Sequence, residues 1–284
     1  MTFDPVRYRT EARKRWGAQA AGWRRHADAL RHATMPVTAW MVDAIEPQPG
    51  HDILELAAGP GDVGFLAAEL IRPNGTLISS DVSPEMLTAA QERAKELAIH
   101  NVRFLQVDAE SIDLPAASVD AVLCRWGYML LADPEAALRE TRRVLRPGGR
   151  VALAAWTKRE ENLWLSEAMR ALVDRGLMEP PAPDEPGPFA WAPEGRIAET
   201  LDAAGFDDVE VDTVEFAMRY PRGVDQWWDT TYDTSTLFRE RVDALDDAAR
   251  AELRATYAER FARHIGPGGT LTLPARTWVA VAAA

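Results

Sequence analysis

An open, doubly wound α/β sheet is the fold class this sequence predicts, and three observations carry the prediction. Asp52–Leu70, DILELAAGPGDVGFLAAEL, reads as a short apolar strand, a glycine turn and a helix. Five strand-like runs then alternate with helical runs between residues 52 and 156. The strand-like runs end in polar residues, Glu55, Asp81, Asp108 and Arg125, which right-handed crossovers would gather on one edge of a parallel sheet.

Residues 5–32 read as helical, with Trp16, Ala20, Trp23 and Ala27 on one face and Gly17 and Gly22 as weak points that predict two pieces. A second helix is expected over Pro36–Ile45, ended by Pro47 and Pro49. Ile53–Leu56 has the continuous apolar character of a buried parallel strand. Gly59-Pro60-Gly61-Asp62-Val63-Gly64 follows, where glycines permit a sharp turn and close approach by a ligand. The helix after it offers unpaired N–H groups to a polar or anionic group. Gly75–Asp81 is a second strand, and its terminal acid lies 20 residues after Gly61, suited to two ribose hydroxyls. Ser83-Pro84-Glu85 is a helix start with cap, proline and acid in order. A third strand, Asn101–Val107, ends at Asp108-Ala109-Glu110, with Glu110 expected to face solvent. A fourth, Ser118–Cys124, ends at Arg125-Trp126-Gly127-Tyr128. Asp133-Pro134-Glu135 caps another helix, and Arg146–Gly149 turns into a fifth strand, Arg150–Trp156.

The remainder is less regular. A helix over Leu163–Leu177 precedes EPPAPDEPGPFAWAP, whose prolines predict an extended surface loop. Arg196–Gly205 reads as helix, 208–220 as strand, 224–265 as helix and 270–283 as a closing strand. The expected organisation is one domain over 1–284. It has an N-terminal cap (1–48), a ligand-binding core (50–157) and two excursions, 158–193 and 224–265, folded over the ligand edge.

Composition narrows the function. The net charge of −12, from 32 basic and 44 acidic residues, disfavours a nucleic-acid footprint. The basic cluster Arg7–Arg31 is read as the solvated side of helices. No apolar run approaches the roughly 20 residues of a membrane span, and the N-terminus lacks a secretory h-region. A single cysteine, Cys124, makes no intrachain disulfide and suits a reducing, cytoplasmic setting. His26, His32, His51, His100 and His264 show no metal-ligand spacing, so no metal is expected. No G-x-S-x-G is present, and Cys124 has no evident activating partner.

ELAAGPG, Asp81, Asp108-Ala109-Glu110 and LRPGGRVALAAW occur in that order. Together they resemble class I S-adenosylmethionine-dependent methyltransferases, in particular small-molecule enzymes of the ubiquinone/menaquinone-biosynthesis type. The resemblance spans roughly 50–156 and implies a Rossmann-like sheet of seven strands, the last antiparallel. It departs at Ala57-Ala58, where many members have glycine and cysteine. The resemblance implies S-adenosylmethionine as cofactor and S-adenosylhomocysteine as product. Carried over, Glu55, Ala57, Ala58, Gly59 and Gly61 would line the methionine and ribose. Asp81 would take the ribose hydroxyls, Val82 and Met86 would flank adenine, and Asp108 and Ala109 would hold its edge. Arg125 and Trp126 would sit near the sulfonium and substrate, with Tyr128 a further substrate residue.

Methyl transfer asks mainly for alignment and exclusion of water. A general base is needed only for an acceptor whose proton does not leave by itself, and His26 and His264 are the candidates. Ten tryptophans, many near loops, point to a small apolar or aromatic acceptor methylated on carbon or oxygen, with no nucleic-acid partner and a monomer or homodimer as the expected assembly. Two other readings stand beside this: a non-catalytic binding or regulatory protein for the same cofactor, and a nicotinamide-dependent oxidoreductase, since Gly59–Gly64 also fits a dinucleotide fingerprint.

Overall fold

A computed structural model describes residues 3–180 and 185–284; residues 181–184 of the expected proline-rich loop lie outside the described residues. The chain runs α1 (Pro5–Ala44), β1 (Asp52–Glu55), α2 (Val63–Leu70), β2 (Thr76–Asp81), α3 (Pro84–Glu96), β3 (Val102–Gln106), β4 (Val119–Arg125), α4 (Pro134–Val144), β5 (Leu145–Trp156) and α5 (Leu163–Asp174). It continues through α6 (Arg196–Ala203), β6 (Asp207–Tyr220), α7 (Gly223–Thr234), α8 (Thr236–Asp243), α9 (Asp247–Phe261) and β7 (Leu271–Ala283). Among the described residues no helix is long and apolar enough to cross a membrane.

The strands form one seven-stranded sheet in the order β3-β2-β1-β4-β5-β7-β6. β1 to β5 are mutually parallel, and β7 runs antiparallel to both β5 and β6, as the resemblance implies. The most apolar runs take the centre: Ile53 and Leu54 of β1 and Val122 and Leu123 of β4 are fully buried, because helices cover both faces. β5 starts at Leu145, five residues before the expected boundary, and absorbs the Arg146–Gly149 turn as an irregularity opposite Val119–Ala121.

The β6–β7 ribbon outruns the sheet. β5 pairs β7 only from Arg150↔Ala283 to Trp156↔Thr277, whereas β6 stays on β7 as far as Tyr220↔Leu271. The overhang therefore projects past the C-terminal ends of the parallel strands. It supports a separate apolar cluster in which Trp227, Trp228, Phe238, Tyr257 and Phe261 pack with Ala168, Ala171, Leu172, Leu271 and Leu273. The expected single helical stretch 224–265 is broken where side chains cap new helices. Ser235 accepts from Phe238 N (3.3 Å) and Asp246 from Ala249 N (2.8 Å).

The two expected N-terminal helices are one, 40 residues and about 60 Å long. Asp4 caps it by accepting from Val6 N and Arg7 N. Its glycines are places of contact, not breaks. A β-carbon on Gly17 would meet the Glu85 carboxylate, and one on Gly22 would be driven into the main-chain carbonyl of Asp233 in α7. Pro36 lies inside the helix, followed by Val37, Met41 and Val42, which are buried against α2 and the sheet. Tertiary packing thus overrides both local helix-weakening signals.

Alanine at Gly22 would gain about 1 kcal/mol of helix propensity over glycine, but its methyl has no room beside Asp233. We expect Gly22→Ala to lose about 1–3 kcal/mol net in urea unfolding. A gain in stability would show that α1 and α7 do not meet there.

Candidate functional site

The turn after β1 brings the first group of site residues together. Ala57, Gly59 and Gly61 have φ of 51°, 55° and 75°. For Ala57 this left-handed backbone costs about 1–2 kcal/mol, a local strain of the kind that collects at ligand sites. Ala58 N donates to Ser80 O (2.9 Å), which ties the turn to β2. Glu55 is buried, and its carboxylate accepts from Gly64 N at 3.0 Å, closing the turn from below. Burial pushes the Glu55 carboxyl up to about 7, against the opposing Gly64 N–H and the charge of Arg125.

Asp81 stands at the tip of β2. Its two oxygens accept from Gly59 N (3.0 Å) and Ser83 N (2.9 Å). Burial raises its carboxyl to about 6, while those N–H groups pull it down. Val82 lines the adjoining cleft and Met86 is buried one turn into α3. Asp108 is half-buried and accepts from Glu110 N at 3.0 Å, with Ala109 buried behind it. A cleft of about 280 Å³ lies between Val82, Gln106, Val107 and Asp108 on the sheet edge and Arg9, Thr10 and Arg13 on α1. Glu110 does not face solvent, contrary to expectation. Its side chain is 7% exposed, pairs with Arg9, and accepts from Ala132 N (2.9 Å) and Asp133 N (3.1 Å). It fastens α1 to the loop after β4, and Tyr8 Oη adds a bond to Leu130 O (2.8 Å).

The end of β4 supplies the other wall. Arg125 lies over the ring of Trp126 at 4.8 Å. Trp126, with φ of 59°, stacks on Trp156 at 4.0 Å and 16°, and Trp164 and Phe216 complete the group. This wall abuts the turn, since a β-carbon on Gly127 would touch Ala57 Cβ. Tyr128 is the exception to the expected substrate set. It is 2% exposed, bonds Thr141 Oγ1 (2.6 Å) and stacks on Trp191, so it is a core residue. Trp191, Trp227 and Trp228 are likewise buried in cores and not at an acceptor.

The two histidine candidates separate. His26 lies on α1 with Nε2 2.8 Å from Asp233, half-buried. His264 sits just before β7 at the outer end of the ribbon, bonded by Arg263 Nε. Leu271, near it, is six residues and about 20 Å along β7 from Thr277, the partner of Trp156. Burial and neighbouring Arg263 lower its basicity. Burial pushes the Cys124 thiol up to about 12, so it is not a nucleophile at neutral pH.

Sequence reasoning missed Asp62 and Arg93. Asp62 is 6% exposed at the end of the turn, between Arg93 and Arg125. The available signal was a cation in the apolar face of α3, where Met86, Ala90, Arg93 and Ala94 are all buried.

A model of the ubiE/COQ5 methyltransferase family matches residues 36–174. Nocamycin O-methyltransferase of Saccharothrix syringae is 30% identical over 195 residues, 66% of this chain and 70% of that one. The chain belongs to the methyltransferases, and its likeness to the ubiE/COQ5 family covers residues 36–174, just under half of it. It is an S-adenosylmethionine-dependent methyltransferase. The ubiquinone/menaquinone biosynthesis C-methyltransferase UbiE of Pasteurella multocida is 33% identical over 118 residues, 41% of this chain and 44% of that enzyme. This methyltransferase therefore aligns with less than half of that relative's length. The YcgJ protein of Bacillus subtilis shares the fold, with a TM-score of 0.57 at 20% identity, over 87% of this chain and 97% of that one.

Glu55 makes a signed prediction. Its native carboxyl titrates near 7 against an ordinary 4.5, so the folded state holds the proton more tightly. Its contribution to stability is complete below the ordinary value and is lost as pH rises through about 7. Glu55→Gln should remove that loss, on the order of 3 kcal/mol, in urea unfolding of the ligand-free protein between pH 4.5 and 7.5. Parallel curves for both proteins would refute it.

Proposed function

We propose that the groove beneath α1 binds S-adenosylmethionine along the turn from Glu55 to Gly61, with the ribose on Asp81 and the adenine toward Val82, Met86, Asp108 and Ala109. The methyl acceptor in this reading is a small, apolar or aromatic molecule, methylated on carbon or oxygen. The observation that carries the acceptor reading is the stacked pair Trp126–Trp156, with Trp164 and Phe216, against the glycine turn. Such a wall suits a flat apolar face.

The residues present suit the cofactor. Asp81 is a carboxylate at a strand tip whose lone pairs are only partly used by Gly59 N and Ser83 N. A β-carbon built on Gly59 meets nothing within 4 Å, so the turn is open on that side. The cleft at Val82 and Asp108 offers an apolar wall beside an acceptor. When bound, the cofactor supplies a methyl group on a sulfonium, ready for in-line displacement. The chain's part is to align the acceptor and to exclude water, α1 and the ribbon-borne helices forming the cover. His26, oriented by Asp233, is the group that would accept a proton from an acceptor that needs a base. A reducing, cytoplasmic setting suits the single buried cysteine.

Calorimetry with S-adenosylmethionine, S-adenosylhomocysteine and NADH tests the site. We expect the first two to bind, NADH not to bind, and Asp81→Ala to weaken binding by about 1–3 kcal/mol, the loss of hydrogen bonds to a charged acceptor. Unchanged affinity in Asp81→Ala would overturn the ribose assignment. A screen with methyl-labelled cofactor that labels tRNA or DNA but no small molecule would overturn the acceptor class.

A further inference from the structure

Asp62 ends the glycine turn and begins α2, yet its side chain does not cap that helix. Its carboxylate is instead enclosed by two guanidinium groups. Arg93 reaches it from α3, with Nε 3.5 Å from Oδ1 and a side chain 1% exposed. Arg125 reaches it from the end of β4, with Nη2 3.4 Å from Oδ2. Each arginine spends its other side on α1. Arg93 Nη2 lies 2.9 Å from the Asp28 carboxylate. Arg125 Nη1 donates to the hydroxyls of Thr34 and Thr38, at 2.8 Å each. The long helix is thus joined to the glycine turn twice, both times through one carboxylate.

Such a triad is a poor device for stability alone. Desolvating three charges offsets most of their attraction, and apolar residues of similar volume would hold the helix as well. The contacts are also not locked. Arg93 Nε and Nη2 and Asp62 Oδ1 are buried without an aligned hydrogen bond, so charge at 3.5 Å holds that side, and Arg125 Nη2 donates to Asp62 Oδ2 only at a long 3.4 Å. A joint of that kind can be made and broken with small side-chain shifts. Its position matters as well. Residues 9, 10 and 13 of α1 roof the cleft at Asp108, Gly17 touches Glu85, and Thr34 and Thr38 meet Arg125, so the helix crosses the whole groove.

We propose that Asp62 is a positioning residue that holds α1 down over the groove, coupling the glycine turn to closure of the roof. Its link to catalysis rests on the reading of that groove as the cofactor site. The hold itself does not, and it can be read in the ligand-free protein.

Hydrogen exchange by mass spectrometry, on the full chain with and without S-adenosylhomocysteine, tests it. Asp62→Asn should let α1 amides between residues 9 and 34 exchange about tenfold faster without ligand, while β1, β2 and β4 stay protected. S-adenosylhomocysteine should leave the variant about tenfold faster in stopped flow. Because Asp62→Asn disturbs buried charge and can fail to fold, Thr34→Val/Thr38→Val provides the second arm. It removes the hydroxyl anchors of Arg125, together with the Thr34 Oγ1 bond to Leu30 O inside α1, and should loosen α1 as far as residue 9, well beyond that one turn, and Thr34→Ser/Thr38→Ser should restore protection. Unchanged α1 exchange in the valine variant overturns the proposal. So does weaker ligand binding without faster α1 exchange, which would make Asp62 a direct ligand contact. If wild type does not bind S-adenosylhomocysteine, the cofactor reading fails while the exchange result still decides the role of Asp62.

Discussion

Parallel pairing of β1 between β2 and β4 is the constraint on which the rest of the molecule depends. Parallel strands need crossovers, crossovers place helices on both faces, and a sheet covered on both faces sends every strand end of one polarity to one edge. Glu55, Asp81 and Arg125 are far apart in sequence and adjacent in space for that reason alone. The two non-glycine residues there with left-handed backbone, Ala57 and Trp126, sit at the same edge, where the surrounding sheet is rigid enough to hold them.

The second consequence concerns the cover. An antiparallel β7 lets β6 and β7 continue as a two-stranded ribbon beyond the last residue of β5. An isolated ribbon is unstable in water. Helices α5, α7, α8 and α9 bury its apolar side, with Trp227 bonding Trp164 O (2.9 Å) and Tyr257 bonding Ala168 O (2.8 Å). The methyltransferase therefore builds its cover as a small second core, fixed to the sheet through β7. α1 joins that second core through Leu30, with Trp23 and Ala33 packed beside it, and after Pro36 its Val37, Met41 and Val42 are buried in the core that also holds Ile53 and Phe65.

Electrostatics at the edge follows from this burial. Glu55 and Asp81 are both held above the ordinary carboxyl range because they are buried, and main-chain N–H groups partly offset the effect. The aromatic wall of Trp126 and Trp156 borders the same space, so a face lined by buried carboxyls and an apolar aromatic face meet across the turn.

What the sequence alone determined was local or periodic. Apolar runs of strand length, the glycine turn, Asp81 at a strand tip and the Ser83 and Asp133 caps each depend on neighbours a few residues away. The tertiary structure decided everything that depends on a distant partner. α1 is continuous because α3 and α7 approach its glycines. Glu110 is buried because Arg9 and the loop after β4 converge on it, and Tyr128 turns inward to Thr141 and Trp191. Asp62 acquires its role only when Arg93 and Arg125 are brought to it from other elements, and no sequence period records a pairing across 63 residues.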